Sequence, residues 1–451
     1  MKTNIFLFVI SFTFSTSFSH AQEGVIDLTN LHNYANQSRP AYITNRDNTP
    51  ANNAITNAGA TLGRVMFYDK RMSRNNSVSC ASCHQQARGF ADSSIASTGV
   101  AGTTGRHSMR LINSRFSNEA KFFWDERAAS LEAQTTQPIR DHVEMGFSGA
   151  SGDPAFTDLV NKLNAISEYR VLFAMTYGTP VINETNIQKA LAQFVRSIQS
   201  FDSKYDAGRA VANDNQPFPN FTTSENNGKA LFLNPPGAGG AGCAGCHSPP
   251  HFDIDPNSLN NGVIASLAGG IDLTNVRSPS LRDLVGPGGT SNGPFMHNGA
   301  FATLNQVIAH YNAVPNNPAN TNLDNRLRRP GNQTQNLNLS QQQQNDLAAF
   351  MRTLTGTAVY SDVKWSNPFN ANNELSMIIL PSSVQSTLNT QTATCHMTCK
   401  VAPGLTYTVE KSTDLKEWTS IDTATPDAQG NLTFSTNIVP PQAFYRFTYT
   451  P

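Results

Sequence analysis

Cys80-Ala81-Ser82-Cys83-His84 and Cys243-Ala244-Gly245-Cys246-His247 decide how this chain is read. Each places two thiols three positions apart with a histidine directly after the second. Both thiols can then add to the vinyl groups of one porphyrin while the imidazole turns toward the iron. That is the attachment pattern of c-type haem, and it occurs twice. A zinc knuckle or a redox dithiol would use the same cysteines, but a zinc site wants a second nearby pair in each half, and none exists. The motifs lie 163 positions apart (243 − 80), which argues for one haem in each of two domains.

The rest of the composition sets the setting. Lys plus Arg (32) equals Asp plus Glu (32), and no long basic run stands out, which argues against nucleic acid and anionic membrane as partners. At the start, Lys2 precedes an apolar run from Ile5 to Phe14 and a Ser/Thr-rich stretch ending Ser19-His20-Ala21. This is the layout of a cleavable secretory signal over residues 1–21, with the mature chain beginning near Gln22. The run is about half of the roughly 20 apolar residues needed to span a bilayer. No Cys adjoins the cleavage site to take a lipid. The expectation is an exported protein of the periplasm or cell envelope without stable membrane insertion.

Helical periodicity dominates the haem region. From Thr185 to Phe201, Ile187, Leu191, Phe194, Val195 and Ile198 share one face; a polar, Pro-containing linker follows, from about Tyr205 to Ser224. A helix starting at Thr303 carries Leu304, Val307, Ile308 and Tyr311 on one face. Another opens with the capping box Ser340 and Gln343 and buries Leu347, Phe350, Met351 and Leu354. The helical pattern ends near Gly356. From about Glu374 the character changes: Leu405-Thr-Tyr407-Thr-Val409, Leu432-Thr-Phe434 and Phe444-Tyr-Arg-Phe447 favour β-branched and aromatic residues in partial alternation. The fold class expected is mainly α, two cytochrome c-like haem domains followed by a small C-terminal β-sandwich. Cys395 and Cys399, with His396 and Met397 between them, read as a local disulfide, with copper binding as the alternative.

Leu62-Gly-Arg-Val-Met-Phe-Tyr-Asp69, Phe122-Phe-Trp124-Asp-Glu-Arg127 through Gln134, and Pro138-Ile139 with Val143-Glu144-Met145-Gly146 flank the first haem motif. Arg277-Ser-Pro-Ser-Leu281, Phe295-Met-His297-Asn-Gly299 and His310-Tyr311-Asn312 follow the second. In this order, over roughly residues 50 to 356, the chain strongly resembles the dihaem bacterial cytochrome c peroxidases and their relative MauG. The resemblance implies an N-terminal peroxidatic domain over 22–204, a linker over 205–224, an electron-transfer domain over 225–356 and, outside it, the β-sandwich over 374–451. It implies His84 as proximal ligand of the peroxidatic haem, with Gln134 and Glu144 over the opposite face and Glu144 as acid/base catalyst. A carboxylate there can take a proton from peroxide and return it to the leaving oxygen. It implies His247 and Tyr311 as iron ligands of the second haem, with Met296 and Met351 as rivals to Tyr311, and Trp124 as the relay between haems. Relatives that need prior reduction carry a distal His about twenty residues after the first haem Cys; here that place reads Ser97-Thr-Gly-Val100-Ala101-Gly102. The peroxidatic haem is then open as made, unless His107 swings onto it. An interdomain calcium ion also belongs to the resemblance, with His107 standing where an Asn is expected and carbonyl positions near Asn292 and Pro294.

These implications make the expected activity reduction of hydrogen peroxide to water, without reductive activation, with electrons from a small c-type cytochrome or cupredoxin. The alternatives are a MauG-like oxidase acting on Trp or Tyr of a partner protein, and a dihaem electron carrier. Relatives are often homodimers.

Overall fold

The computed structural model describes residues 24–44, 46–331, 333–380, 384–437 and 442–449. The signal segment expected over 1–21 lies outside the described residues. Among the described residues, no helix is long and apolar enough to cross a membrane. The chain divides into two compact units.

The larger unit, residues 33–159 and 184–367, holds both haem motifs and repeats one packing device. The helix Asn57–Tyr68 starts at Thr56, whose hydroxyl accepts from the Gly59 N–H at 2.9 Å. It crosses the helix Glu184–Ser197 at Gly63, where a Cβ would stand 2.0 Å from the Ala190 carbonyl oxygen. In the second half, Thr223–Leu233 begins with a Thr222/Glu225 capping box and crosses Gln341–Arg352 at Gly228, whose Cβ would stand 1.8 Å from the Asp346 carbonyl oxygen. Only glycine lets the two backbones approach this closely. Around the second crossing, Phe232, Phe252, Phe350 and Leu354 form a buried core.

Four expectations about element placement meet their outcome here. The Ser340/Gln343 capping box opens Gln341–Arg352 as expected, and the helix after Thr303 runs Leu304–Asn312. The stretch 205–224 is not a loose linker. Ser203 and Asp206 cap a helix over Lys204–Arg209, and Tyr205 and Phe218 are fully buried in the core of the second half, because aromatic burial outweighs the polar residues between them. The haem unit also runs past Gly356. A short helix Ala358–Ser361 is followed by Trp365, 2% exposed, whose indole N–H donates to the Ser197 carbonyl at 3.1 Å.

The smaller unit comprises residues 24–32, 160–183 and 368–449 among those described. Two three-stranded antiparallel sheets form its body. One has the order Thr419–Ala424, Tyr407–Ser412, Phe444–Thr448; the other has Asn431–Asn437, Thr394–Lys400, Gln385–Asn389. Phe434 on one sheet and Phe447 on the other meet edge-on at 6.5 Å, and the tail is β-rich, as its sequence suggests. The unit reaches beyond the tail, however. Val25–Asp27 pairs in parallel with Ser376–Ile378, and the helix Ser167–Tyr177 lies against Gly404, whose Cβ would come within 2.5 Å of the Met175 carbonyl oxygen. Residues 22–204 therefore do not form one compact body.

The local disulfide is overturned. Cys395 and Cys399 sit on the single strand Thr394–Lys400, so their Cα atoms are roughly 13 Å apart at about 3.4 Å per residue. A disulfide needs less than about 7 Å. Copper fares no better, since strand alternation sends His396 to the face opposite Cys395, Met397 and Cys399, where its Nδ1 pairs with the Ser435 hydroxyl at 2.6 Å.

Candidate active site

The first haem motif is a single helical turn, Cys80–Cys83, closed by a Ser79/Ser82 capping box and by the His84 N–H donating to the Cys80 carbonyl at 2.9 Å. This turn presents Cys80, Cys83 and His84 to one recess. Burial pushes the His84 imidazole down to about 4 and the Cys80 thiol up to about 12. A neutral imidazole beside two neutral thiols is the donor set that covalent haem attachment and axial ligation require. Gln134, from the helix Leu131–Thr135, and Glu144, from the turn after Gln137–Arg140, line the same recess. Two residues paired in the sequence only through the resemblance thus share a wall with His84. The recess measures about 70 Å³, whereas cofactor pockets run to roughly 300–1,000 Å³. A porphyrin enters it only with outward movement of wall side chains.

Glu144 is the perturbed carboxyl of this wall. Burial raises it to about 7, the Asp141 carboxylate adds to the rise, and the Arg127 guanidinium opposes it. Its backbone is held by the segment 99–101. The Val100 N–H donates to the Glu144 carbonyl at 3.0 Å and the Ala101 N–H to the Val143 carbonyl at 3.2 Å. Gly99 makes this contact close, since a Cβ there would meet the Val143 carbonyl oxygen at 2.0 Å.

The second motif departs from a helical turn. Cys243–Gly245 is a 3-10 turn entered from Gly242 at φ +73°, and His247 begins a two-residue strand paired with Asp253–Ile254. Cys243, Cys246 and His247 line a cavity of about 780 Å³ walled by Phe232, Leu281, Phe295, Leu304 and Ile308. Its size and apolar walls suit a porphyrin, and burial again keeps the imidazole neutral, at about 4. Tyr311, Met296 and Met351 all reach this cavity. Burial raises the Tyr311 hydroxyl above its ordinary value. The Met296 sulfur already accepts from the Asn261 amide at 3.2 Å.

Trp124 and His107 come from the first half of the chain yet line the second cavity. The Trp124 indole N–H donates to the His107 carbonyl at 2.7 Å, and its ring meets His297 edge-on at 6.5 Å. The His107 ring is bonded through Nδ1 to the Ser94 carbonyl at 2.9 Å, and its backbone N–H donates to the His297 carbonyl. It is not among the residues lining the His84 recess. Sequence reasoning gave no role to Asp141, Arg127, Asn261 or His297; of these, Arg127 and His297 carried a signal, their places in the Phe122–Arg127 and Phe295–Gly299 motifs.

The fold and the paired thiol–imidazole walls define a dihaem c-type cytochrome, and comparison with known proteins agrees. The family model for di-haem cytochrome c peroxidase matches residues 57–215. The methylamine utilization protein MauG of Methylophilus methylotrophus is 31% identical over 319 residues, covering 69% of this chain and 86% of that protein. Cytochrome-c peroxidase IdrP1 of Denitromonas iodatirespirans is 29% identical over 348 residues, covering 68% and 84%. The crystal structure of a MauG-like protein associated with microbial copper homeostasis superposes with a TM-score of 0.59 at 26% identity, covering 74% of this chain and 99% of that one. The chain belongs to the di-haem cytochrome c peroxidase family that includes MauG, and two c-type haems are its cofactors.

Proposed function

We propose that this protein is a peroxidase that reduces hydrogen peroxide to water, drawing two electrons per peroxide from a small periplasmic redox protein and two protons from solvent. The observation that carries the reading is a carboxyl raised to about 7 on the wall shared by Gln134 and His84. The haems supply the electrons and the site where peroxide is reduced. Glu144 takes the proton from one peroxide oxygen and returns it to the other, so that water leaves. Gln134, a neutral donor on the same wall, orients the peroxide. Trp124, which reaches from the first half into the cavity of the second motif, carries electrons between the haem-binding sites. By the resemblance, Tyr311 would be the second iron ligand beside His247, with which it shares the cavity wall.

Absence of reductive gating is part of the proposal. Neither Val100 nor Ala101 can ligate iron, the Glu144 turn is bonded to their backbone, and the His107 ring is committed to Ser94. The interdomain calcium rests on the resemblance; among the described residues no group of three or more His, Cys, Asp or Glu side chains could hold a metal ion, so carbonyl oxygens such as those of Asn292 and Pro294 would supply the site.

The test is the optical and EPR spectrum of the oxidised holoprotein before and just after peroxide is added without reductant. An immediate change at a high-spin ferric haem supports an ungated peroxidase. Two low-spin haems with no response defeat it in favour of a gated enzyme or an electron carrier. A second reading, oxidation of Trp or Tyr on a partner protein, is favoured by Tyr311 on the wall of the second cavity; failure to turn over with a reduced cytochrome would select it.

A further inference from the structure

The turn that carries Glu144 is organised by one residue to which no role has been assigned so far. Asp141 ends the helix Gln137–Arg140. One of its carboxylate oxygens accepts the Val143 N–H at 2.8 Å and the Glu144 N–H at 3.0 Å. Its own carbonyl accepts the Met145 N–H at 3.3 Å and the Gly146 N–H at 2.8 Å. Four consecutive N–H groups of the turn therefore converge on a single residue. The Glu144 peptide is held from both sides, its N–H by Asp141 and its carbonyl by Val100. With the backbone pinned at both ends, the Glu144 side chain has few ways to leave the recess.

We propose that Asp141 is the positioning residue of this site: its carboxylate fixes the turn through hydrogen bonds from the Val143 and Glu144 N–H groups and sets a like charge beside the Glu144 carboxyl. The inference rests on the reading of Glu144 as acid/base group. The charged and titratable groups that face Glu144 are few. Asp141 is on its own turn, Arg127 comes from the loop after Trp124, and the Cys80 and Cys83 thiols and the His84 imidazole, which lines the same recess, come from the haem-attachment turn. Burial is the largest influence on Glu144, Asp141 reinforces it, and Arg127 is the counterweight. A like charge disfavours the ionised carboxyl, so Asp141 helps Glu144 keep a proton to return.

Hydrogen bonding and charge separate in two substitutions. Asp141→Asn keeps an oxygen that accepts both N–H groups but removes the charge. Asp141→Ala removes both. The measurements are made on holoprotein: kcat and KM for hydrogen peroxide, and an infrared pH titration of the protonated carboxyl band, assigned by its loss in Glu144→Gln. Asp141→Ala is expected to lower kcat about tenfold with KM little changed, because the carboxyl is misplaced rather than lost. Asp141→Asn is expected to recover most of that kcat while the Glu144 ionisation moves to lower pH by about half a unit, the size of one solvent-screened neighbouring charge. Wild-type kcat and ionisation in Asp141→Ala overturn the proposal, as does an Asn variant as impaired as the Ala variant. Where Asp141→Ala does not fold, the Asn variant decides alone, and an unmoved infrared ionisation overturns it. Full turnover by Glu144→Gln defeats the acid/base reading instead, and the infrared shift still reports on Asp141.

Discussion

A carboxyl raised to about 7 by burial, in the recess that also holds the neutral His84 imidazole, makes pH the first handle on this site. Below about pH 7 Glu144 holds its proton and cannot accept one from peroxide, so kcat/KM is expected to rise with pH through that value and level off above it. A profile flat from pH 5 to 9 would remove Glu144 from the proton path. The same shift works against the fold. The unfolded carboxyl loses its proton at lower pH than the folded one, so this residue's contribution to stability falls as pH rises from 4.5 through 7. Glu144→Gln is expected to cut turnover by about 10²–10⁴-fold with both haems still attached, read by peroxide-dependent oxidation of a reduced cytochrome. Tyr311→Phe removes the phenol oxygen from the second cavity. Its expected outcome is an altered low-spin spectrum and a raised midpoint potential for the haem on Cys243 and Cys246. An unchanged spectrum would assign that ligand to Met296 or Met351.

Elements position these residues through close backbone contact, and glycine makes each contact possible. Gly99 lets residues 99–101 lie on the Glu144 turn; with alanine there, Cβ meets the Val143 carbonyl oxygen at 2.0 Å, and the strap must lift. Gly99→Ala is expected to lower kcat at normal haem content, checked by turnover normalised to haem. Gly228→Ala forces a Cβ to 1.8 Å from the Asp346 carbonyl oxygen and drives apart the helices Thr223–Leu233 and Gln341–Arg352. Overpacking of this kind costs about 1–3 kcal/mol, which thermal unfolding would show as a lowered Tm. Helix starts were legible because capping chemistry is local: Thr303 and Ser340 cap the helices their neighbours suggest. Close crossings were not legible, since Gly63 and Gly228 look like helix-weakening residues until the partner backbone is in place.

For the whole molecule, the end of the haem unit matters most. Truncation after Gly356 removes Trp365, which is 2% exposed, together with Tyr360, which accepts a hydrogen bond from Asn292 at 2.8 Å. Loss of a buried Trp alone costs about 3–5 kcal/mol, so that truncation is expected to give aggregated or haem-poor protein. A chain ending at Asn367 keeps both residues. It still strips Ser376–Ile378 from Val25–Asp27 and uncovers Gly404's contact with Ser167–Tyr177. Its expected Tm is lower than that of the full chain, with the haem spectrum retained. A full-length Tm in that truncation would show the tail to be an independent module.

The sequence by itself determined what covalent chemistry demands: two Cys-x-x-Cys-His attachment sites and their placement in successive halves, because two thiols and an imidazole that bind one porphyrin lie close along the chain. It also determined the β character of the tail, through alternation. The tertiary structure decided what depends on partners far apart in the chain. It brought Trp124 and His107 to the cavity of the second motif, carried the helix Ser167–Tyr177 into the tail's unit, and laid Val100 and Ala101 on the Glu144 turn. It also set Cys395 and Cys399 along one strand, out of each other's reach. Burial and charge, which raise Glu144, exist only once those partners have met, so no local pattern could announce them.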